Sequence, residues 1–258
     1  MKKITQLTIT SALLLNSGAL LANELAYTSA ADDIHISSIL TEPAPAETAW
    51  VFDLGWDSKY MSQGRDLIGE GGITWATAVY EYENLAVFAS LGRGDSTAYI
   101  EWDLGIEYGL DLTDNLEATL GLMHIHCFGD DDFRDNELSA SLRYTQYEWF
   151  TPSVTYIYST EAAGYRVNAS IHSSWDLTET LSVTPYVTQG FDFQYSSEEH
   201  NGPNHFQFGV EAEYQLQENL SLSAQISHSI AQEDIKQQYG HQEDLDQTFG
   251  GVHITWIF

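Results

Sequence analysis

From Ile100 to Leu110 the chain changes character at every residue. Ile100, Trp102, Leu104, Ile106, Tyr108 and Leu110 are apolar or aromatic, while Glu101, Asp103, Gly105, Glu107 and Gly109 are acidic or glycine. Successive side chains of a strand point to opposite faces, so a strand sorts this string cleanly and a helix cannot. Phe206, Phe208, Val210, Ala212, Tyr214 and Leu216 alternate in the same way with Gln207, Gly209, Glu211, Glu213 and Gln215. The chain stops on such a segment too. In Thr248–Phe258, Val252, Ile254, Trp256 and Phe258 share one parity, and Gly251, His253 and Thr255 share the other. The periodicity predicts twelve strands, at about 50–60, 72–82, 85–92, 98–110, 116–126, 137–146, 151–159, 165–176, 181–194, 205–216, 220–230 and 248–258. The facing of the second is ambiguous.

The connections alternate in length. Glu83-Asn84-Leu85, Asp114-Asn115-Leu116, Glu179-Thr180-Leu181 and Glu218-Asn219-Leu220 are short and alike, and a fifth turn around Tyr147 to Pro152 is aromatic. The other set, 61–71, 93–97, 127–136, 160–164, 195–204 and 231–247, is longer and polar. Short turns at one end and longer loops at the other are the pattern of an outer-membrane barrel. The predicted fold is an all-β, closed antiparallel transmembrane β-barrel of twelve strands.

Alternation alone does not separate this from a soluble barrel, whose inside is the apolar face. The ends and the aromatics do. Lys2 and Lys3 precede an apolar stretch from Ile4 to Leu21, with Ala22 as the cleavage point, which reads as a signal peptide over 1–22. Cleavage after Ala26 is the alternative. Residues 23–48 are acidic and rich in Ala, Ser and Pro without a sustained period, and read as a disordered periplasmic leader, with a plug inside the barrel as the alternative. The barrel then occupies 49–258. The 11 Phe, 15 Tyr and 7 Trp are many for a chain of mean hydropathy −0.24, and a membrane barrel places such residues in girdles at its two interfaces. Trp256 and the terminal Phe258 resemble the C-terminal signal read by the barrel-assembly machinery of Gram-negative bacteria, which makes the cell outer membrane the expected location.

Ser58-Lys59-Tyr60-Met61-Ser62-Gln63-Gly64-Arg65 leads out of the first strand. It resembles the opening Ser-x-Tyr-x-x-x-Gly of the TorF-like family of small outer-membrane porins, over roughly residues 50–90. Ser62-Gln63 stands where that family carries an aromatic–Arg pair, as a sister group would. The resemblance implies a β-barrel with a transport role and no established catalytic residues.

Charge narrows the partners. The whole chain carries 9 basic and 38 acidic residues. Loss of Lys2 and Lys3 with the signal peptide leaves 7 basic residues against 38 acids, a net of −31. So acidic a surface excludes nucleic acid, whose phosphates need basic partners. Cys127 is the single cysteine, which rules out an intrachain disulfide framework. With the polar parity inward, the lumen is lined by Asp53, Asp57, Glu101, Asp103, Glu107, Glu117, Glu137, Asp192, Glu211 and Glu213. Against these stand Lys59, Arg143 and Arg166, with His172 and His253 near neutral. Such a wall concentrates cations.

The expected function is a small porin-like passive channel preferring cations. A non-conducting structural or surface-binding barrel and an outer-membrane lipid hydrolase are the alternatives. The hydrolase reading rests on Gly94-Asp95-Ser96, with His172 or His228 as base. No catalytic residue and no cofactor is assigned. His124 and His126, two apart on one strand face, are weak metal candidates, and Asp130-Asp131-Asp132 would hold Ca²⁺ or Mg²⁺ loosely at an outer loop. Expected partners are outer-membrane lipid, lipopolysaccharide reached by Arg65, Arg93 and Arg134, the assembly machinery, and small solutes or cations.

Overall fold

The computed structural model describes residues 48–129, 132–198, 200–240 and 245–258. The signal peptide, nearly all of the leader, Asp130 and Asp131 lie outside the described residues. The elements are β1 (Thr48–Asp57), β2 (Met61–Ser62), β3 (Arg65–Asp66), β4 (Ile73–Tyr82), β5 (Leu85–Gly94), β6 (Ile100–Thr113), β7 (Leu116–Phe128) and β8 (Phe133–Tyr144). They continue with β9 (Thr151–Ser159), β10 (Tyr165–His172), β11 (Trp175–Asp176), β12 (Leu181–Phe193), β13 (Asn201–Gln217), β14 (Leu220–Ala231), α1 (Glu233–Tyr239) and β15 (Gln247–Ile257).

Twelve of the strands form one closed antiparallel ring in the order β1-β4-β5-β6-β7-β8-β9-β10-β12-β13-β14-β15, and β15 returns to β1. Closure leaves no edge, so every strand's backbone groups find a partner within the ring, as lipid requires. β2 and β3 form a separate two-stranded hairpin, and β11 is a short extra strand pairing only with β12.

The alternation read from the sequence is the alternation of burial. On β6, Glu101, Asp103, Gly105, Glu107 and Gly109 are buried, while Leu104, Ile106 and Tyr108 are exposed. Leu54, Leu104, Leu120, Leu138, Val154, Val187, Phe208, Leu222 and Val252 are all about half exposed and continue this outer face around the ring. A belt of that extent in water would be an aggregation surface; in hydrocarbon it is matched. Aromatics flank it. Trp50, Phe52, Tyr82, Trp256 and Phe258 lie toward the short-turn end, and Trp56, Trp102, Phe128 and Tyr165 toward the loop end. On β15 and just past its end, Val252, Ile254, Trp256 and Phe258 stand outward, and His253 is buried.

Three features depart from the sequence reading. First, β4 resolves its ambiguous facing by turning Ile73, Trp75, Thr77, Val79 and Glu81 inward. Ile73, Trp75 and Val79 join Tyr60, Ala86, Phe88, Met123, Ile125 and Cys127 in an apolar cluster inside the barrel, so the inner wall is greasy in one sector and polar elsewhere. Glycines on neighbouring strands make the room: a Cβ on Gly92 would lie 2.4 Å from the Trp75 ring, and one on Gly105 2.1 Å from the Phe88 ring. Second, the segment expected as one strand over 165–176 breaks between β10 and β11. The cause is Pro185 on β12. Its carbonyl accepts Ser173 N at 3.0 Å, so the position where proline lacks an N–H faces the same break. Third, β8 and β13 begin four residues earlier than expected and shorten their loops. The two longest loops, 58–72 and 232–246, carry the β2–β3 hairpin and α1.

Candidate functional site: the barrel interior

Of the fifteen residues named from sequence for the lumen, fourteen are buried on the inner parity; Lys59 is the exception, its side chain 32% exposed beside Asp66. Many of them meet partners across the wall. At the seam between the first and last strands, His253 Nδ1 lies 2.8 Å from Asp53 Oδ1, and its Nε2 lies 3.5 Å from Asp57 Oδ2. Thr255 donates to Asp53 Oδ2 at 2.7 Å. The imidazole thus sits between the two carboxylates and links the last strand to the first. The imidazole fits because Gly55 lies beneath it: a Cβ there would sit 2.0 Å from the ring.

On the opposite wall, Arg143 donates to Glu117 at 2.8 Å. Glu137 accepts from Tyr195 Oη, and the Arg166 guanidinium lies 5.1 Å over the Tyr195 ring. Asp192 accepts the backbone N–H groups of Tyr195 and Ser196 at 3.0 and 2.9 Å, fixing the loop after β12. His172 stacks on Tyr186 with ring centroids 5.4 Å apart. Glu211 and Glu213 are buried on β13.

The β6 column is the most acidic stretch. Glu101 accepts from Tyr60 Oη, Tyr99 Oη and Cys127 Sγ, and Asp103 interacts with it from two residues along. Glu107, three percent exposed, has no hydrogen bond from another described residue to either carboxylate oxygen. Sequence reasoning missed two further inward acids. Glu81 was hidden by the ambiguous facing of β4. Asp135 fell in a segment read as loop; it is buried and accepts from Ser159 Oγ, Thr160 Oγ1 and Glu161 N.

The other expected sites sit elsewhere. His124 and His126 share the outer face of β7, on either side of the Trp102 ring at 5.3 and 5.5 Å. Arg134 Nε donates to His126 Nε2 at 3.1 Å, which occupies the nitrogen a metal would use. No group of three or more His, Cys, Asp or Glu side chains suited to a metal occurs among the described residues. Ser96 donates to Asp95 Oδ1 at 2.6 Å, while Trp56 Nε1 and Gly72 N donate to the same carboxylate. These three bonds hold the Asp95 carboxyl below its usual range and make it a loop staple. His172 is buried at the opposite end of the barrel, and His228 bonds to Thr248 at 2.8 Å on another sector, so neither serves as base for Ser96.

Arg65 corrects the sequence reading. It is 7% exposed, turned into the loop-end mouth rather than toward lipopolysaccharide. Its Nη2 donates to Asp234 Oδ2 on α1 at 2.9 Å, its Nη1 to Asn204 Oδ1 on β13 at 2.9 Å, and its Nε to Gln238 Oε1 on α1 at 2.9 Å. Burial pushes the Asp234 carboxyl up, the nearby Asp192 carboxylate adds to this, and Arg65 pulls against both.

No protein-family model matches this chain, and no curated protein sequence is similar to it. Solved structures do share its fold. The KdgM porin superposes with a TM-score of 0.56 at 8% identity, covering 80% of this chain and 98% of that one. The NanC porin gives 0.54 at 9% identity, with 80% and 98% covered. An outer membrane channel from Pseudomonas putida F1 gives 0.51 at 11% identity, with 85% and 98% covered. The chain therefore has the fold of outer-membrane porin-like barrels.

Proposed function

We propose that this protein is a small passive channel of the outer membrane whose acidic inner wall admits cations in preference to anions. One observation carries the reading. Among the described residues twelve buried carboxylic side chains face inward from the barrel strands, the ten expected from sequence together with Glu81 and Asp135. Among the cationic side chains only Arg143 and Arg166 oppose them on the strand walls, with His253 clasped between Asp53 and Asp57. Fixed negative charge inside a low-dielectric wall lowers the energy of a cation there and raises that of an anion. The resemblance of residues 50–90 to TorF-like porins and the porin-like fold support the transport role.

Pure protein in a planar bilayer under a salt gradient tests this. The expected reversal potential has the sign of cation selectivity. Anion selectivity would overturn the preference, and absence of channels under all conditions would overturn the channel. Asp103→Asn combined with Glu107→Gln, two carboxyls without a cationic partner, is expected to reduce the cation-to-anion permeability ratio by a factor of about 3. An unchanged ratio would place selectivity elsewhere on the wall.

The tightness of the interior favours a second reading, a barrel that does not conduct and acts through its surface. Asp57, Glu101, Asp103 and Asp192 are all 0% exposed, which is what a side-chain-filled bore produces. The same bilayer measurement separates the two.

A further inference from the structure

The loop after β1 does not stand away from the barrel. It turns back over the rim and sets the β2–β3 hairpin inside the loop-end mouth, where Tyr60, Met61, Ser62, Gln63 and Arg65 are all buried. The hairpin is closed at its neck by Leu67 N donating to Tyr60 O at 2.8 Å. Its tip is Gln63-Gly64, with φ of 45° and 73°, the left-handed pair of a type I′ turn. Gly64 is also confined: a Cβ there would lie 2.6 Å from the His205 Cβ. The hairpin is thus a compact, pre-shaped unit.

Its two ends are held on opposite walls. The base is tied to β6, where Tyr60 Oη donates to Glu101 Oε2. The tip is tied to β13, where Asn204 accepts from Arg65 and donates to Gln63 O at 2.9 Å. In the ring of twelve, β6 and β13 are six strands apart by either route. The hairpin therefore lies across the mouth along a diameter.

The two attachments differ in kind. Tyr60 is embedded in the apolar cluster, with its ring 5.6 Å from Trp75 and 5.1 Å from Tyr99, and Leu67 and Ile68 pack on the same cluster. Burial of that much apolar surface makes the base a fixed pivot. The tip is held by hydrogen bonds centred on Arg65 and Asp234. Around it Ser62 Oγ, Gln63 Nε2, Ser229 Oγ and Asp234 Oδ1 are buried without a hydrogen-bond partner among the described residues. Each such atom weakens the closed arrangement relative to one in which water reaches it. A greasy pivot opposite a polar, under-satisfied catch is the construction of an element that swings as a unit. Gly69 and Gly71, at φ of 67° and 77°, lie in the return segment, and nothing would crowd a side chain at Gly69.

We propose that the Tyr60–Asp66 hairpin is a gate across the loop-end mouth, with the Arg65–Asp234 pair between hairpin and α1 as its catch. This rests on the channel reading. Asp234 belongs to the catch and not to the conducting wall, so releasing it changes how often the path is open without changing what lines it.

Single-channel recording of the full chain tests the gate. Wild type is compared with Arg65→Ala, Asp234→Asn, and the double variant Arg65→Cys with Asp234→Cys. Both catch variants are expected to raise the open probability by a factor of about 3 or more. The cysteine pair should behave likewise until bridged by a reducible bifunctional thiol reagent, return to the closed level when bridged, and reopen on reduction. Single-cysteine variants control for modification, and a folded circular dichroism spectrum shows that each variant forms its barrel. Three outcomes are decisive. Silent wild type with conducting catch variants supports the gate. Equal open probability in wild type and folded catch variants, unmoved by bridging, overturns the gate and leaves the channel standing. Silence of every variant overturns both.

Discussion

Gly251→Val is expected to prevent stable closure of the barrel. A Cβ at this position would fall 1.8 Å from Asp57 Oδ1 and 3.1 Å from the Trp56 carbonyl oxygen, and valine adds two methyl groups beyond it. Asp57 cannot yield easily: it is 0% exposed, accepts from Gln225 Nε2 and faces His253. Moving it breaks the carboxylate–imidazole–carboxylate arrangement that joins β1 to β15. Overpacking of a tight wall costs about 1–3 kcal/mol, and leaving a buried polar group unpaired adds about 1–3 kcal/mol. Urea unfolding in detergent or lipid should show a loss on the order of 4 kcal/mol, or no folded barrel at all. Val252→Leu, on the exposed face one residue away, should change stability little. The mechanism has its own check. Gly251→Ala alone should destabilise, and pairing it with Asp57→Ala should recover part of that loss in a double-mutant cycle. Strict additivity of the two changes would mean that Asp57 is not what the added carbon meets.

Deletion of Phe258 is expected to be nearly as damaging, by a different route. Its backbone closes the seam twice: Phe258 N donates to Trp50 O at 2.8 Å, and Trp50 N donates to Phe258 O at 3.2 Å. Its ring meets Trp256 at 4.3 Å and Phe52 at 5.7 Å. Two lost hydrogen bonds at a membrane interface are worth about 1–3 kcal/mol together, so the folded fraction in refolding assays should fall by a factor of about 10. Phe258→Ala keeps both backbone bonds and removes only the ring. If the ring is what the assembly machinery reads, Phe258→Ala should refold in purified lipid yet fail to reach the outer membrane in cells, while the deletion fails in both. Normal surface display of the deletion would count against a terminal role for this residue in either process.

Both predictions concern the seam, and the seam shows how far residue pattern reaches. The parity of Thr248–Phe258 is visible in the sequence, because two-fold periodicity follows from the pleat of any strand. That His253 meets Asp53 and Asp57 is not visible, since the partners lie 200 and 196 positions away and their pairing depends on register across a closed ring. The apolar cluster inside the barrel was equally hidden. Trp75 and Phe88 look like lipid-facing residues until their strands are paired with the glycines that accommodate them. The Ser58–Arg65 stretch read as the start of an outer loop, and by composition it is one: short, polar and turn-forming. Only its contacts reveal that it folds inward.

Local rules, legible residue by residue, set much of this protein. Strand number, strand limits within a few residues, turn and loop ends, the acidic character of the inner face and the apolar character of the outer one all follow from alternation, turn chemistry and charge. The tertiary structure decided what non-local pairing controls. It gave β4 its facing, broke the ladder opposite Pro185, set His253 between two carboxylates, and laid the Tyr60–Asp66 hairpin from β6 to β13 across the mouth. The physical reason is that a strand's period fixes which side chains share a face, while ring closure and register fix which of them meet.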